Sequence, residues 1–230
     1  MIQMLNVSFV YPNGVKALHN INLRIEKGEF VFLVGPTGTG KSTLLKLIYC
    51  AEYPTEGKVI VAGRDVSRLA KKEIPLLRRR LGIVFQDFRL IPSRTVWENI
   101  AFALRAIGMS RRDIWRKLPE VLDIVGLTDK AEAYPAQLSA GEQQRVAIAR
   151  AIVNNPLILL ADEPTGNLDP DTSLDIVNLL ARINLMGTTV LTATHDKYIV
   201  DKMRKRVITL ENGRIISDRE RGVYEHYASE

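Results

Sequence analysis

The sequence predicts an α/β fold: a core of buried parallel strands interrupted by a helical lobe. Short apolar, β-rich runs of the kind parallel sheets bury occur at "FVFLVG" (30–35), "LGIVFQ" (81–86), "LILLADEP" (157–164) and "TTVLTATHD" (188–196). Helical patterns follow several of these runs, and from about 97 to 154 helical spacing takes over. Strands alternating with helices on both sides of a helical stretch are the signature of such a core.

The elements follow in order. "FVFLVG" reads as a buried strand ending in Gly35, and "KSTLLKLIYC" (41–50) as the helix after it. "LGIVFQ" is the next strand, closed by Gln86. "VWENIAFALRAI", "IWRKLPEVLDIVG" and "EQQRVAIARAIV" form the helical lobe. "LILLADEP" and "TTVLTATHD" return to strand, with "DTSLDIVNLLARINL" as the helix between them. "RVITLENGRIIS" (206–217) reads as a hairpin turning at Asn212–Gly213.

Composition narrows the class. With 230 residues, 46% of them hydrophobic, the chain has enough apolar material for a sizeable core. The single Cys50 excludes a disulfide framework and a Cys-rich zinc site, which fits a reducing compartment. Residues 1–9, "MIQMLNVSF", lack the basic start and long apolar run of a secretion signal, and no apolar stretch reaches spanning length. The net charge of +6 is unevenly placed: residues 64–117 hold 14 Lys/Arg against 5 Asp/Glu, which leaves 18 against 21 elsewhere. Such a segment suits an anionic lipid surface, nucleic acid or an acidic partner, or is a set of solvated helix faces.

"GPTGTGKS" (35–42) matches the phosphate-loop pattern, which chance produces in roughly one chain in a hundred of this size. Its glycines let the backbone curl so that N–H groups converge on phosphates. Lys41 supplies a point charge, and the Ser42 hydroxyl is a Mg²⁺ ligand. "LILLADEP" sets Asp162 and Glu163 at the end of a strand, where open α/β sheets bind ligands. Neighbouring strand residues point opposite ways, so the two acids are expected to do different work. Asp162 would hold Mg²⁺, and Glu163 would orient and deprotonate an attacking water. Gln86 and His195 each close a strand and are expected at the same edge. Tyr11, beyond the first apolar strand, is either a platform for a base or ordinary packing. "LSAGE" (138–142) opens a helix with Ser and Gly, a second place where backbone N–H groups favour an anion.

Taken in order, Tyr11, the loop 35–42, Gln86, "LSAGE", "ILLADE" (158–163), "GNLD" (166–169) and His195 resemble the nucleotide-binding domain of ABC-type ATPases. The resemblance runs nearly the whole chain. It implies a P-loop NTPase fold with a RecA-like parallel sheet, an antiparallel β subdomain and an inserted α-helical lobe. One ATPase domain would then cover 1–230, with a core at about 1–86 and 156–218, the lobe at 87–155 and a loose tail at 219–230.

By the same resemblance, ATP lies on Tyr11, Gly35, Pro36, Thr37, Gly38, Thr39, Gly40, Lys41, Ser42 and Thr43. Mg²⁺ lies on Ser42, Gln86 and Asp162, and hydrolysis uses Glu163, His195 and Gln86. Ser139, Gly141, Glu142 and Asp169 reach the nucleotide held by a second copy, in an ATP-dependent head-to-tail homodimer. The signature departs from the family's Leu-Ser-Gly-Gly-Gln at Ala140 and Glu142, and the acid is expected to turn away from the nucleotide.

The stretch 74–100 resembles the branch of the family that serves cell division. Its partner is a polytopic, FtsX-like membrane protein, met near Gln86 and the helical lobe. That branch implies a peripheral protein on the cytoplasmic face of the membrane, at the division site, acting on cell-wall hydrolysis. The basic stretch 64–117 would then lie near anionic headgroups, with no nucleic acid expected. A lipoprotein-release or macrolide-efflux ATPase is the alternative, and an ATP-gated nucleic-acid protein is a more distant one.

Overall fold

The structure, a computed structural model, describes residues 1–222. Residues 223–230, most of the expected tail, lie outside the described residues. In chain order the strands and helices are β1 Ile2–Val10, β2 Lys16–Ile25, β3 Phe30–Val34, α1 Lys41–Ile48, β4 Glu56–Val61, β5 Arg64–Asp65 and α2 Ile74–Arg78. Then come β6 Leu81–Val84, α3 Val96–Ala106, α4 Arg111–Val125, α5 Ala140–Ile152, β7 Ile158–Asp162 and α6 Pro170–Leu185. The chain closes with β8 Thr189–Thr194, α7 Lys197–Met203, β9 Arg206–Glu211 and β10 Arg214–Arg219. The final hairpin therefore runs through Arg219, past the point where the tail was expected to begin. Contacts divide the chain into Met1–Ile74 with Thr189 onward, and Pro75–Thr188. That cut takes β6 and β7 with the helices, unlike the lobe at 87–155 read from sequence.

In the first unit, β1 alternates Ile2, Met4, Val7 and Phe9 inward, all buried, and pairs antiparallel with β2 and β4. Register shifts between Met4 and Val7 mark a bulge at Asn6, whose φ is +50°. The resulting antiparallel sheet has the order β2-β1-β4-β5. A second set of strands, ordered β10-β9-β3-β8, is parallel at β9, β3 and β8 and antiparallel at β10. All five residues of β3 are buried, as a central parallel strand requires. Leu44, Leu45, Leu47 and Ile48 bury one face of α1, each contributing about 1.5–3 kcal/mol.

In the second unit β6 and β7 pair in parallel, from Leu81↔Ile158 to Val84↔Ala161. Its helices begin where the sequence provides caps. Thr95 and Glu98 form a capping box on α3, Ser110 caps α4, and Asp169 caps α6 ahead of Pro170. Among the described residues, no helix is long and apolar enough to cross a membrane.

Candidate active site

In the first unit, the pairing of β3 with β8 ends at Val34↔Thr194, so Gly35 and His195 leave the same edge of neighbouring strands. The phosphate loop then turns on two glycines. At Gly35 φ is +148° and a Cβ would sit 2.1 Å from the Leu210 carbonyl oxygen. At Gly40 φ is +103° and a Cβ would sit 2.5 Å from the Ala17 oxygen, so neither place admits a side chain. Pro36, Thr37 and Gly38 are exposed, whereas Thr39 and Lys41 are buried, and the Thr39 hydroxyl donates to the Pro36 oxygen at 2.9 Å.

The buried Lys41 ammonium donates to the Gly35 oxygen at 2.7 Å and the Pro36 oxygen at 2.9 Å, which folds it back over its own loop. Gly40 brings no side chain to cap α1, and its first turn carries no acid, so neither a capping side chain nor an acid of that turn opposes an anion. Ser42 is exposed and Thr43 buried. The Tyr11 and Thr43 hydroxyls meet at 2.8 Å, and the Tyr11 ring packs edge-on to Phe9 with centroids 4.7 Å apart. Tyr11 is thus held half-exposed next to the helix that follows the loop. His195 is exposed, one residue before Asp196, which caps α7.

In the second unit the strand pair ends at Val84↔Ala161, and Gln86 and Glu163 lie past that edge. Two expectations are corrected here. Gln86 does not close its strand, which stops at Val84, whereas His195 directly follows Thr194, the last residue of β8. Glu163 is not on β7 at all: φ of +49° takes it out of extended geometry, so side-chain alternation does not separate it from Asp162. A tight turn fixes it instead, with the Gly166 N–H donating to the Glu163 oxygen at 3.2 Å. Gly166 also lies against Gln86, whose Nε2 is 3.1 Å from where a Cβ would stand.

The signature region belongs to the same unit. Ser139 caps α5: its hydroxyl accepts from the Glu142 N–H at 3.2 Å, while the Glu142 carboxylate accepts from the Ser139 N–H at 2.8 Å. Lys130 stands 3.6 Å from that carboxylate. The Ser139 N–H, together with Lys130, holds the Glu142 carboxyl below the usual range. Glu142 is therefore engaged by its own helix. A Cβ on Gly141 would stand 2.5 Å from the Thr172 methyl, so α5 and α6 approach closely there. Asp169 is exposed, and the Thr172 hydroxyl and N–H hold its carboxyl below its ordinary value.

The first unit thus gathers Tyr11, the loop 35–43 and His195. The second gathers Gln86, Asp162, Glu163, the "GNLD" turn and the signature. Sequence reading missed two buried amides that brace the second group. Gln144 donates to the Pro164 oxygen at 2.7 Å, just past Glu163. Asn99 accepts from Ile91 N–H at 2.8 Å and donates to the Arg94 and Thr95 oxygens, both at 3.0 Å, tying the loop beyond Gln86 to α3. A polar residue on an otherwise apolar helix face is the only signal either left.

Residues 18–166 match the ABC transporter family. The chain belongs to that family. Over 227 residues it is 55% identical to the cell division ATP-binding protein FtsE of Bacillus subtilis, covering 99% of this chain and all of that one. It is 56% identical over 225 residues to the protein of that name from Mycobacterium tuberculosis, covering 97% of this chain and 98% of that one. With the Escherichia coli protein it shares 48% over 215 residues, covering 94% and 97%. A dimeric bacterial ABC transporter cassette superposes with TM-score 0.86 and 40% identity over 97% of this chain and all of the other. A dimeric ATP-binding cassette in a post-hydrolysis state bound to ADP and Pi gives 0.85 and 39%, with the same coverage. The P-loop ABC ATPase fold is the fold of this chain, and ATP hydrolysis is the chemistry of this cassette.

Proposed function

We propose that this chain is the ATP-hydrolysing subunit of a membrane-associated cell-division complex, working as a homodimer beside a polytopic, FtsX-like partner. The observation that carries the reading is the whole-length likeness to cell division ATP-binding proteins, at 48–56% identity. The dimeric state of the related cassettes supports the head-to-tail pair. The chain then works peripherally on the cytoplasmic face at the division site, with the basic stretch 64–117 near anionic headgroups.

The residues take these roles. Tyr11 flanks the base. The loop from Gly35 to Thr43 wraps the phosphates with backbone N–H groups, and Lys41 swings from its carbonyls to the outer phosphates. Ser139, Gly141, Glu142 and Asp169 lie at the face that meets the second copy's nucleotide, with Ser139 and Gly141 making the contacts. Glu163 orients the attacking water and takes its proton, and Gln86 and His195 complete the polar surround of the γ-phosphate.

By the family resemblance, the residues that would hold Mg²⁺ are Ser42, Gln86 and Asp162, offering hydroxyl, amide and carboxylate oxygens. Hard oxygen ligands with a single carboxylate leave room for phosphate and water. When bound, Mg²⁺ neutralises charge on the phosphates. ATP can drive a partner only through its differential affinity for the closed dimer.

The test is a mild-detergent pull-down of tagged Glu163→Gln with ATP and Mg²⁺. A division-associated membrane protein, absent from the Lys41→Ala control, is expected. Recovery of a lipoprotein-release or macrolide-efflux permease instead would move the ATPase to another pathway. Recovery of nucleic acid alone would overturn the membrane reading.

A further inference from the structure

The segment after β6 takes an unusual path. Phe88 and Arg89 are consecutive non-glycine residues at positive φ, +54° and +50°. L-residues disfavour that region, and two in succession persist only where the surroundings over-determine them. Part of the constraint is local. The Arg89 N–H turns back to the Asp87 oxygen at 2.5 Å, its Nε donates to the Asp87 carboxylate at 3.0 Å, and its guanidinium lies 3.8 Å from the Phe85 ring centre.

The rest comes from far along the chain. Arg150, in the last turn of α5, donates Nη1 to the Arg89 oxygen at 2.5 Å and Nη2 to the Phe88 oxygen at 2.7 Å. The left-handed turn aims two successive carbonyls the same way, and the planar guanidinium fork matches that pair. Burial, with the Arg89 charge nearby, pushes the Arg150 pKa downward against the opposing Asp87 carboxylate, and the two carbonyls help compensate the desolvated cation. The helix that holds this fork starts at the signature and also carries Gln144, which grips the Pro164 oxygen.

We propose that Arg150 is a positioning residue for the glutamine loop: its fork fixes the Phe88 and Arg89 carbonyls, so that Gln86 is presented in one conformation and the signature helix and glutamine loop move together. Arg150 acts through Gln86, and the inference rests on the role given to Gln86 above. A lysine at this position keeps the charge but offers a compact ammonium on a flexible stem, which cannot bridge both carbonyls with fixed geometry.

The experiment uses the full chain as wild type, Arg150→Lys, Gln86→Ala and the double variant. Hydrogen–deuterium exchange over residues 85–91 reads loop order, and steady-state ATPase with titration of a fluorescent ATP analogue reads function. In Arg150→Lys, exchange over 85–91 is expected to rise by about tenfold while β7 is unchanged. Its kcat is expected to fall about tenfold, with nucleotide affinity within about twofold. In the Gln86→Ala background the same substitution is expected to change kcat by less than about twofold, since the two act as a unit. Unchanged exchange over 85–91 overturns the proposal, as does a full-sized kcat loss in the Gln86→Ala background. If Gln86→Ala keeps wild-type kcat while Arg150→Lys still loosens the loop, the positioning stands and the catalytic role of Gln86 falls.

Discussion

Two helix starts in this protein look alike in sequence and are built in opposite ways. At α1 the cap is Gly40, held at φ +103°, with no side-chain cap and no acid in the first turn. At α5 the cap is Ser139, locked with Glu142 in a reciprocal box, and the first turn carries the acid. The first start leaves backbone donors and the positive end of the helix to an incoming phosphate. The second has already satisfied two donors from its own side chains. A loop meant to hold nucleotide by itself is shaped by glycine. In the proposed dimer, the start that would meet the second copy's nucleotide is kept ordered by its own residues.

The largest effect expected from that contrast is at Lys41. Its ammonium is buried against the Gly35 and Pro36 oxygens, so Lys41→Ala removes both a phosphate partner and the latch that shapes the loop. Loss of a charge-assisted contact of about 2–3 kcal/mol raises the ATP Kd roughly a hundredfold. Titration of a fluorescent ATP analogue measures it. Wild-type affinity in this variant would contradict the phosphate-loop assignment.

Ser139→Ala comes next. It removes the cap of α5, which costs about 1 kcal/mol in a urea melt. On the proposed head-to-tail arrangement, ATP binding to the isolated chain should stay within about twofold while turnover falls about tenfold. A sharp loss of affinity in the isolated chain would erase the contrast between the two helix starts.

What was legible in the sequence follows the physics of each part. The phosphate loop was plain because a backbone turn that admits no Cβ at Gly35 and Gly40 forces glycine at fixed spacing. The parallel strands were plain because burial on both faces writes an unbroken apolar run, as in β3. The antiparallel sheet was reached only through the resemblance. The bulge at Asn6 breaks the alternation of β1, and β4 opens with three exposed residues that hide its period. Strand ends were misplaced at Gln86, two residues past Val84, and at Glu163, whose left-handed turn depends on neighbours rather than local composition. Gln144, Asn99 and Arg150 were illegible as braces. Each binds backbone oxygens in other segments, and a carbonyl has no residue identity to read.

The smallest effect is at Glu142, and it tests the contrast most finely. Glutamine keeps the capping geometry at this position but removes the charge and the Lys130 pair, which stand 3.6 Å apart on side chains 29% and 48% exposed. Screening limits that pair to about 0.5 kcal/mol or less. Because folding depresses the Glu142 pKa, its charge stabilises above the ordinary glutamate value of 4.5, and the benefit is lost as pH falls through the folded value. Urea melts should therefore show Glu142→Gln slightly less stable than wild type at neutral pH and converging with it in acid. The same change takes a negative charge from the end of α5 that the proposed dimer sets against a phosphate. In a Glu163→Gln background, ATP-dependent dimerisation measured by sedimentation should then tighten by about two- to threefold, a few tenths of a kcal/mol of relieved repulsion. Weaker dimerisation would mean that the Glu142 carboxylate helps dock the second copy, and the box at α5 would then be part of the contact rather than its scaffold.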